Sequence, residues 1–446
     1  MSGSANVLVL GASGLIGRFV TDDLRARGFQ AIGIARRFSS SQNTSALDLE
    51  MPFLKMDSAA LARLIGERGI DVVVNCVGLL QDGPGSDVGV VHRDFVARLL
   101  QAMRACGRAI RLVHISIPGA AGEDRTAFST TKREAERLIA ASLLPYAILR
   151  PGFVIAPAAY GGSAMVRALA ALPLQLPAVL AAKPFQPVMV DDIAATIAWL
   201  AERDIGDKSA NAVVWDLMQK EPMTLDAVVD LFRRSFGTSG YPRVRLPAFM
   251  LDLGTRLGDL ASWLGWMPPM RSTAIAELRR GVSGDPSAWI AATGIVPADL
   301  SKAGLRPATI QDKWFARLFL IKALVIASLA VFWTVSGFIA LFVSYHAAAD
   351  ILRSHAFPPA LVAPITIFTS MMDMTIGVLI AFRRTDRVGL IAQPIANIGW
   401  ERDRRRGGSR HDGKRGGVGD RRGGVDQPIP VVQHRQIIGQ GVGRCA

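Results

Sequence analysis

Apolar positions follow three different patterns along the chain. Over residues 5–200, short β-branched runs alternate with stretches whose apolar residues recur every three to four positions. The runs predict strands at 6–10 (NVLVL), 30–35 (QAIGIA), 53–56, 71–77 (DVVVNCV), 111–116 (RLVHIS) and 146–150. The periodic stretches predict helices at 15–27, 58–68, 88–106 and 130–142. Strict alternation of strand and helix predicts βαβ units and an α/β fold with a doubly wound parallel sheet. Most of the strands are apolar throughout rather than at every second position, so helices are expected on both faces.

Residues 201–312 carry helical patterns at 224–236 and 248–264, punctuated by Pro222, Pro242, Pro247, Pro268 and Pro269. This region is expected to form a small mixed cap over the C-terminal edge of the sheet, where doubly wound folds bind ligands. Residues 313–400 then change regime. The run 318–344 (LFLIKALVIASLAVFWTVSGFIALFVS) has Lys322 as its one full charge, and at about 1.5 Å per residue it is long enough to cross a bilayer core of roughly 30 Å. A second run, 359–382, carries Asp373 near its middle. An intramembrane carboxylate marks a functional site by default; the plainer reading packs Asp373 inside a helix bundle against a polar neighbour. Lys313 and Arg317 precede the first run, and Arg383, Arg384 and Arg387 follow the second. The positive-inside rule puts both ends in the cytoplasm, with 345–357 as a short external loop. The lipid bilayer is thus an expected partner.

Composition changes this picture in one place. The chain has 446 residues, half of them apolar, with a formal net charge of +14. Residues 401–446 hold 11 basic and 5 acidic side chains and 11 glycines. Such a tail builds no packed core. A third span begins at Val388 and then breaks, and a shift of reading frame near residues 392–400 of a GC-rich gene would produce this arginine- and glycine-rich composition. An RGG-like tail is the rival reading, but interleaved aromatics and true RGG repeats are missing, so a nucleic-acid partner is not expected. Three cysteines, Cys76, Cys106 and Cys445, make neither a disulfide framework nor a metal cluster, and no metal site is predicted. They fit a reducing compartment. The N-terminus lacks a basic n-region and does not read as a signal peptide. A disulfide scaffold, a disordered chain and a simple soluble single domain are all excluded.

The candidate chemistry starts just after the first strand, at Gly11-Ala12-Ser13-Gly14-Leu15-Ile16-Gly17. In this GxxGxxG spacing Gly11 allows a tight turn, Gly14 a close approach to a pyrophosphate, and Gly17 close packing of helix on strand. The following helix N-terminus offers N–H groups and a positive dipole end to phosphates. A Rossmann-type dinucleotide site is predicted. The second strand ends in Ala35-Arg36-Arg37. An NAD site usually places a carboxylate there, whereas two guanidiniums suit a 2′-phosphate. NADP(H) is therefore favoured over NAD(H). Asp57 is a candidate contact on the adenine side, and Val77 and Gly78 lie beside the expected cofactor groove.

The chain resembles the extended and atypical short-chain dehydrogenase/reductase superfamily. The motifs are GASGLIG at 11–17, NCVG at 75–78, HIS at 114–116, LRPG at 149–152 and PVMVDDIA at 187–194. The pattern is most similar to the atypical branch, which includes the nucleotide-binding accessory subunit of respiratory complex I and the NmrA-like proteins. Residues 215–345, through 257–295 and KWFARLFLIKAL, resemble bacterial fusions of such a domain to a DoxX-like membrane domain. The resemblance implies a Tyr-x-x-x-Lys catalytic pair assisted by a serine. Here the matching stretch is Phe128 to Lys132, with Ser116 as the serine. Lys132 is expected to bond the nicotinamide ribose, while Phe128 has no proton to give. Loss of a general acid typically costs 10²–10⁴-fold, roughly 3–5 kcal/mol of barrier. Asp191 and Asp192 are expected to cap a helix.

Two functions follow. One is a membrane-anchored NAD(P)H-binding oxidoreductase, with hydride passing to a small or membrane-soluble acceptor such as a quinone. The other is a non-catalytic NADP(H)-binding module, structural or redox-sensing, in a membrane protein complex.

Overall fold

The computed structural model describes residues 5–39, 45–83, 87–266, 268, 270–355 and 357–391. The expected frame break at 392–400, the tail 401–446 and Cys445 lie outside them.

Seven parallel strands form the main sheet: β1 (Asn6–Leu10), β2 (Gln30–Ala35), β3 (Asp48–Glu50), β4 (Val72–Asn75), β5 (Arg111–Ile115), β6 (Tyr146–Pro151) and β7 (Val213–Leu217). Their order is β3-β2-β1-β4-β5-β6-β7. It reverses direction after β1, and the crevice at that point is where doubly wound sheets take ligands. Helices α1 (Leu15–Ala26), α2 (Ser58–Glu67), α3 (Phe95–Ala105), α4 (Ala127–Ala140), α5 (Gly162–Ala171) and α6 (Val190–Glu202) follow the strands. Side chains of β1 divide between the two faces: Val7 and Val9 join the core under α1 and α6, Leu8 and Leu10 the core under α2 and α3. Both faces are covered, as the uniformly apolar strands require.

Three expectations are corrected. Residues 53–56 are not a strand: Phe53–Lys55 form one 3₁₀ turn, and the edge strand is Asp48–Glu50. An edge strand has a single partner and tolerates polar residues, so an apolar-run criterion misses it. The sheet does not end by residue 200, because β7 pairs with β6 and Trp289 is buried in the same core. Asp191 and Asp192 sit inside the first turn of α6, whose N-cap is Met189. Burial, then the Asp191 charge, push the Asp192 carboxyl up to about 6, with the nearby Met189 N–H in partial opposition.

The region after β7 holds α7 (Leu225–Phe236), α8 (Ala248–Trp263), α9 (Ser272–Arg280) and α10 (Ser287–Thr293). Its core is continuous with the start of α11 (Ile310–Phe338), since Ala316 is fully buried there. The chain runs on through Ile339–Val343, then through α12 (Tyr345–Ser354) and α13 (Pro359–Ala381). The expected external loop is thus largely helical. The segments Ile310–Val343 and Pro359–Ala381 are long and apolar enough to cross a membrane. They pack closely because Gly337 lies against Ser370 and Met374, and Gly377 against Ala330 and Thr334. Small residues are what let two such apolar helices approach this closely. Asp373 is half-buried on α13.

Candidate nucleotide site

Gly11 adopts φ +82°, a conformation that a side chain disfavours. Its N–H and that of Ala12 both donate to the Ile34 carbonyl, at 2.9 and 3.0 Å, fixing the turn to the end of β2. A Cβ on Gly17 would lie 2.3 Å from the Gly11 carbonyl oxygen. No other residue fits there without moving α1. Gly14 is the N-cap of α1 and makes no side-chain capping bond. Among the described residues no side chain is seen to cap the first N–H groups of α1, and a free helix N-terminus is the arrangement that receives phosphate. Ser13 and Gly14 are exposed, and Leu15 and Ile16 are half-buried. These features fit a dinucleotide pyrophosphate.

Beside the turn lies a cavity of about 220 Å³ lined by Ala12, Arg18, Thr21, Asp22, Arg25, Phe38 and Asp48. Arg36 and Arg37 are exposed at the end of β2. Asp48 is committed elsewhere: Arg25 bonds it at 2.8 Å and the Ser45 N–H at 2.7 Å. Arg18, directly after Gly17, joins the cavity wall, a place that the glycine spacing alone does not mark. Asp57 caps α2, accepting the Ala60 N–H at 2.7 Å. On the other side of the turn, a Cβ on Gly11 would touch Cys76 and Val77 backbone at 3.3 Å. The turn and the β4 end, with Val77 half-buried and Gly78 exposed, thus form adjacent walls.

The catalytic-motif residues gather at the ends of β4 and β5. Lys132 is 4% exposed, and its ammonium donates to the carbonyls of Ile115 at 2.8 Å and Val77 at 3.0 Å. Burial pulls it down to about 8, against partial support from Cys76 and Glu136. Burial also pushes the Cys76 thiol up to about 12 despite Lys132 nearby. Ser116 is buried, and its hydroxyl lies beside Glu136 without reaching hydrogen-bonding geometry. Phe128 packs edge-on against His92, ring centroids 5.6 Å apart. His92 accepts the Leu79 N–H at Nε2, at 3.0 Å, so Nδ1 carries the proton and donates to Thr131 Oγ1 at 2.9 Å. Burial, then the Lys132 charge, drive His92 down to about 2. It stays neutral and does not replace the missing tyrosine acid. His114 is likewise held neutral by burial, with Nδ1 facing Asn75 Nδ2 at 3.1 Å.

One turn beyond Lys132 the site closes with paired charges that the sequence did not reveal. Glu136 receives Arg150 at 2.6 and 2.9 Å and Arg133 at 3.1 Å. Arg133 also bonds Asp124 at 2.9 Å, and Asp124 receives Arg280 of α9 at 2.7 Å. Thr126, the N-cap of α4, bonds Glu277 of α9. Burial raises the Glu136 carboxyl, but bonds and charge from Arg150 and Arg133 outweigh it and hold the group below its usual value. This network fastens α9 over the edge of the sheet.

Residues 7–205 match the NAD dependent epimerase/dehydratase family, and residues 330–400 match the DoxX-like family. No curated protein matches the chain. Two of the many solved structures similar to the chain illustrate its fold. UDP-glucuronic acid 4-epimerase from Bacillus cereus, in complex with UDP-glucuronic acid and NAD, is 17% identical over 70% of this chain and 99% of its own, with TM-score 0.50. UDP-glucose-4-epimerase from Stenotrophomonas maltophila, with bound NAD and formylated UDP-arabinopyranose, is 18% identical over 72% of this chain and 99% of its own, with TM-score 0.50. The glycine turn, the parallel sheet and both matched segments together identify residues 7–205 as a Rossmann domain of the NAD-dependent epimerase/dehydratase type, joined in one chain to a DoxX-like domain.

Proposed function

We propose that the protein is an NADP(H)-binding oxidoreductase anchored in a bacterial inner membrane, with its nucleotide domain in the cytoplasm. The observation that carries this reading is the Gly11–Gly17 turn closing onto an uncapped helix N-terminus. NADP(H) is preferred because Arg36 and Arg37 end β2 and Asp48 is already paired with Arg25. The turn, Asp57, Val77 and Gly78 would hold the dinucleotide. The cytoplasmic placement rests on Lys313, Arg317, Arg383, Arg384 and Arg387 at one end of the two apolar helices.

A bound nicotinamide supplies a transferable hydride. The chain supplies orientation through Lys132 and Ser116, but no proton at position 128. This favours an acceptor whose reduced oxygen needs no protein acid. A quinone fits: reduction leaves a phenolate-type oxygen, with a pKa of about 10 as for tyrosine, which water protonates. A carbonyl would leave a far more basic alkoxide.

The second reading is a non-catalytic NADP(H) module of a membrane complex. It is favoured by Phe128 and by the Lys132 ammonium resting on the Val77 and Ile115 carbonyls. One experiment separates the two. The full chain in nanodiscs is titrated with NADPH and NADH, and reduced-nicotinamide oxidation is followed with quinone and carbonyl acceptors. Quinone-dependent oxidation that Gly14→Asp abolishes supports the enzyme. Binding without turnover supports the module, and no binding of either nucleotide rejects both.

A further inference from the structure

Helix α8 has its amphipathic pattern reversed for a helix in water. Its inward stripe is Leu251, Gly254, Thr255, Gly258 and Ser262, mostly small or polar, with Gly258 against the Met270 backbone. Its outward face holds Phe249, Leu253, Leu257 and Leu260, which are 66, 50, 55 and 55% exposed. At helical spacing these four fall in one narrow strip opposite the buried stripe. A soluble surface rarely carries so continuous an apolar strip.

What covers the strip is indicated by where α8 ends. Trp266 Nε1 donates to the Ala381 carbonyl at 2.8 Å, at the last turn of the apolar helix α13. The Trp263 and Phe382 rings lie 6.4 Å apart. The Arg383 guanidinium sits 5.1 Å from the Trp266 ring, and the Arg383 backbone N–H donates to the Leu264 carbonyl at 3.1 Å. The apolar face of α8 is thus continuous with the end of a membrane-crossing helix, through the tryptophans and arginine that favour the headgroup level. We infer that α8 lies in the plane of the bilayer interface, with Phe249, Leu253, Leu257 and Leu260 inserted at the headgroup–acyl boundary. This rests on the membrane-anchored reading above.

The placement reaches the nucleotide site through one side chain. Arg271 bonds Asp259 of α8 at 3.2 Å and the Asp82 carbonyl at 2.8 Å. Asp82 belongs to the loop that leaves Val77 and Gly78, so the interfacial helix is tied to the rim of the cofactor groove. A membrane-dissolved acceptor would meet the groove at that rim.

The test uses the full chain in nanodiscs, with Cys76, Cys106 and Cys445 changed to serine. A polarity-sensitive fluorophore is attached at Leu257→Cys, at Leu324→Cys on the exposed face of α11, and at Glu202→Cys on the exposed end of α6. Lipids with a quencher near the headgroup or deeper in the chain are then added. The expected result is blue-shifted emission at Leu257, largely lost with the shallow quencher, loss at Leu324 with the deeper one, and no effect at Glu202. Quenching at Leu324 with water-like, unquenched emission at Leu257 overturns the inference and leaves the anchor intact. No quenching at either position overturns both. Blue-shifted but unquenched emission at Leu257 that needs two chains per disc means a second copy covers the strip, and also overturns it.

Discussion

Gly17→Ala is the most direct challenge to the nucleotide site. The added methyl would lie 2.3 Å from the Gly11 oxygen, 2.9 Å from the Gly11 carbonyl carbon and 3.1 Å from the Ala12 Cα. All three are backbone atoms, and the Gly11 oxygen already accepts the Gly14 N–H at 2.9 Å. Normal contact requires about 3.5 Å, so α1 and the turn must separate by about 1 Å. Overpacking of this kind costs about 1–3 kcal/mol of stability. The same shift carries the α1 N–H groups away from a bound phosphate. Each hydrogen bond to a charged group contributes about 1.5–3 kcal/mol, so the loss of one weakens affinity by about 10- to 100-fold. The assay is NADPH titration of the detergent-purified full chain, with thermal denaturation in parallel. Gly66→Ala is the control, because a Cβ at Gly66, on the exposed side of α2, meets nothing within 4 Å. It should stabilise by up to about 1 kcal/mol and leave binding unchanged. Gly17→Ala binding within about threefold of the parent would refute the placement of the phosphates.

Three further outcomes follow from the geometry. Arg36→Ala combined with Arg37→Ala should weaken NADPH about tenfold or more and leave NADH nearly unchanged, as two titrations would show; equal losses would point to a general structural role. Lys132, held at about 8 against an ordinary 10.5, loses its proton earlier in the folded chain than in the unfolded one. The unfolded chain then binds more protons, so stability should rise by about 1 kcal/mol from pH 8 to 9, and Lys132→Met should remove that rise; above pH 9 the raised Cys76 thiol acts in the opposite direction. Glu136→Leu leaves Arg133 and Arg150 without their shared carboxylate and should cost about 3–5 kcal/mol, read as a lowered melting temperature. Because Glu136 is held below its ordinary 4.5, its contribution is present above that pH and fades as pH falls through the folded value.

By itself, the order of residues determined the α/β class, most strand positions, the glycine turn and the two apolar helices. These rest on local signals: β-branched runs, a glycine spacing that only one backbone path allows, and apolar stretches too long for a soluble core. Asp48–Glu50 escaped because an edge strand needs no apolar run. Tertiary structure alone decided how the charges pair. Arg133, Glu136 and Arg150 are ordinary polar positions in the chain, yet they pair with one another and Arg133 joins Asp124, which in turn holds Arg280 because α9 folds back across the sheet. The commitment of Lys132 to the Val77 and Ile115 carbonyls likewise depends on two strand ends that lie far apart in sequence. The pattern of α8 was visible as amphipathic, but its direction was not. Periodicity shows that a helix has two unlike faces; only packing decides which face the protein buries and which it leaves exposed.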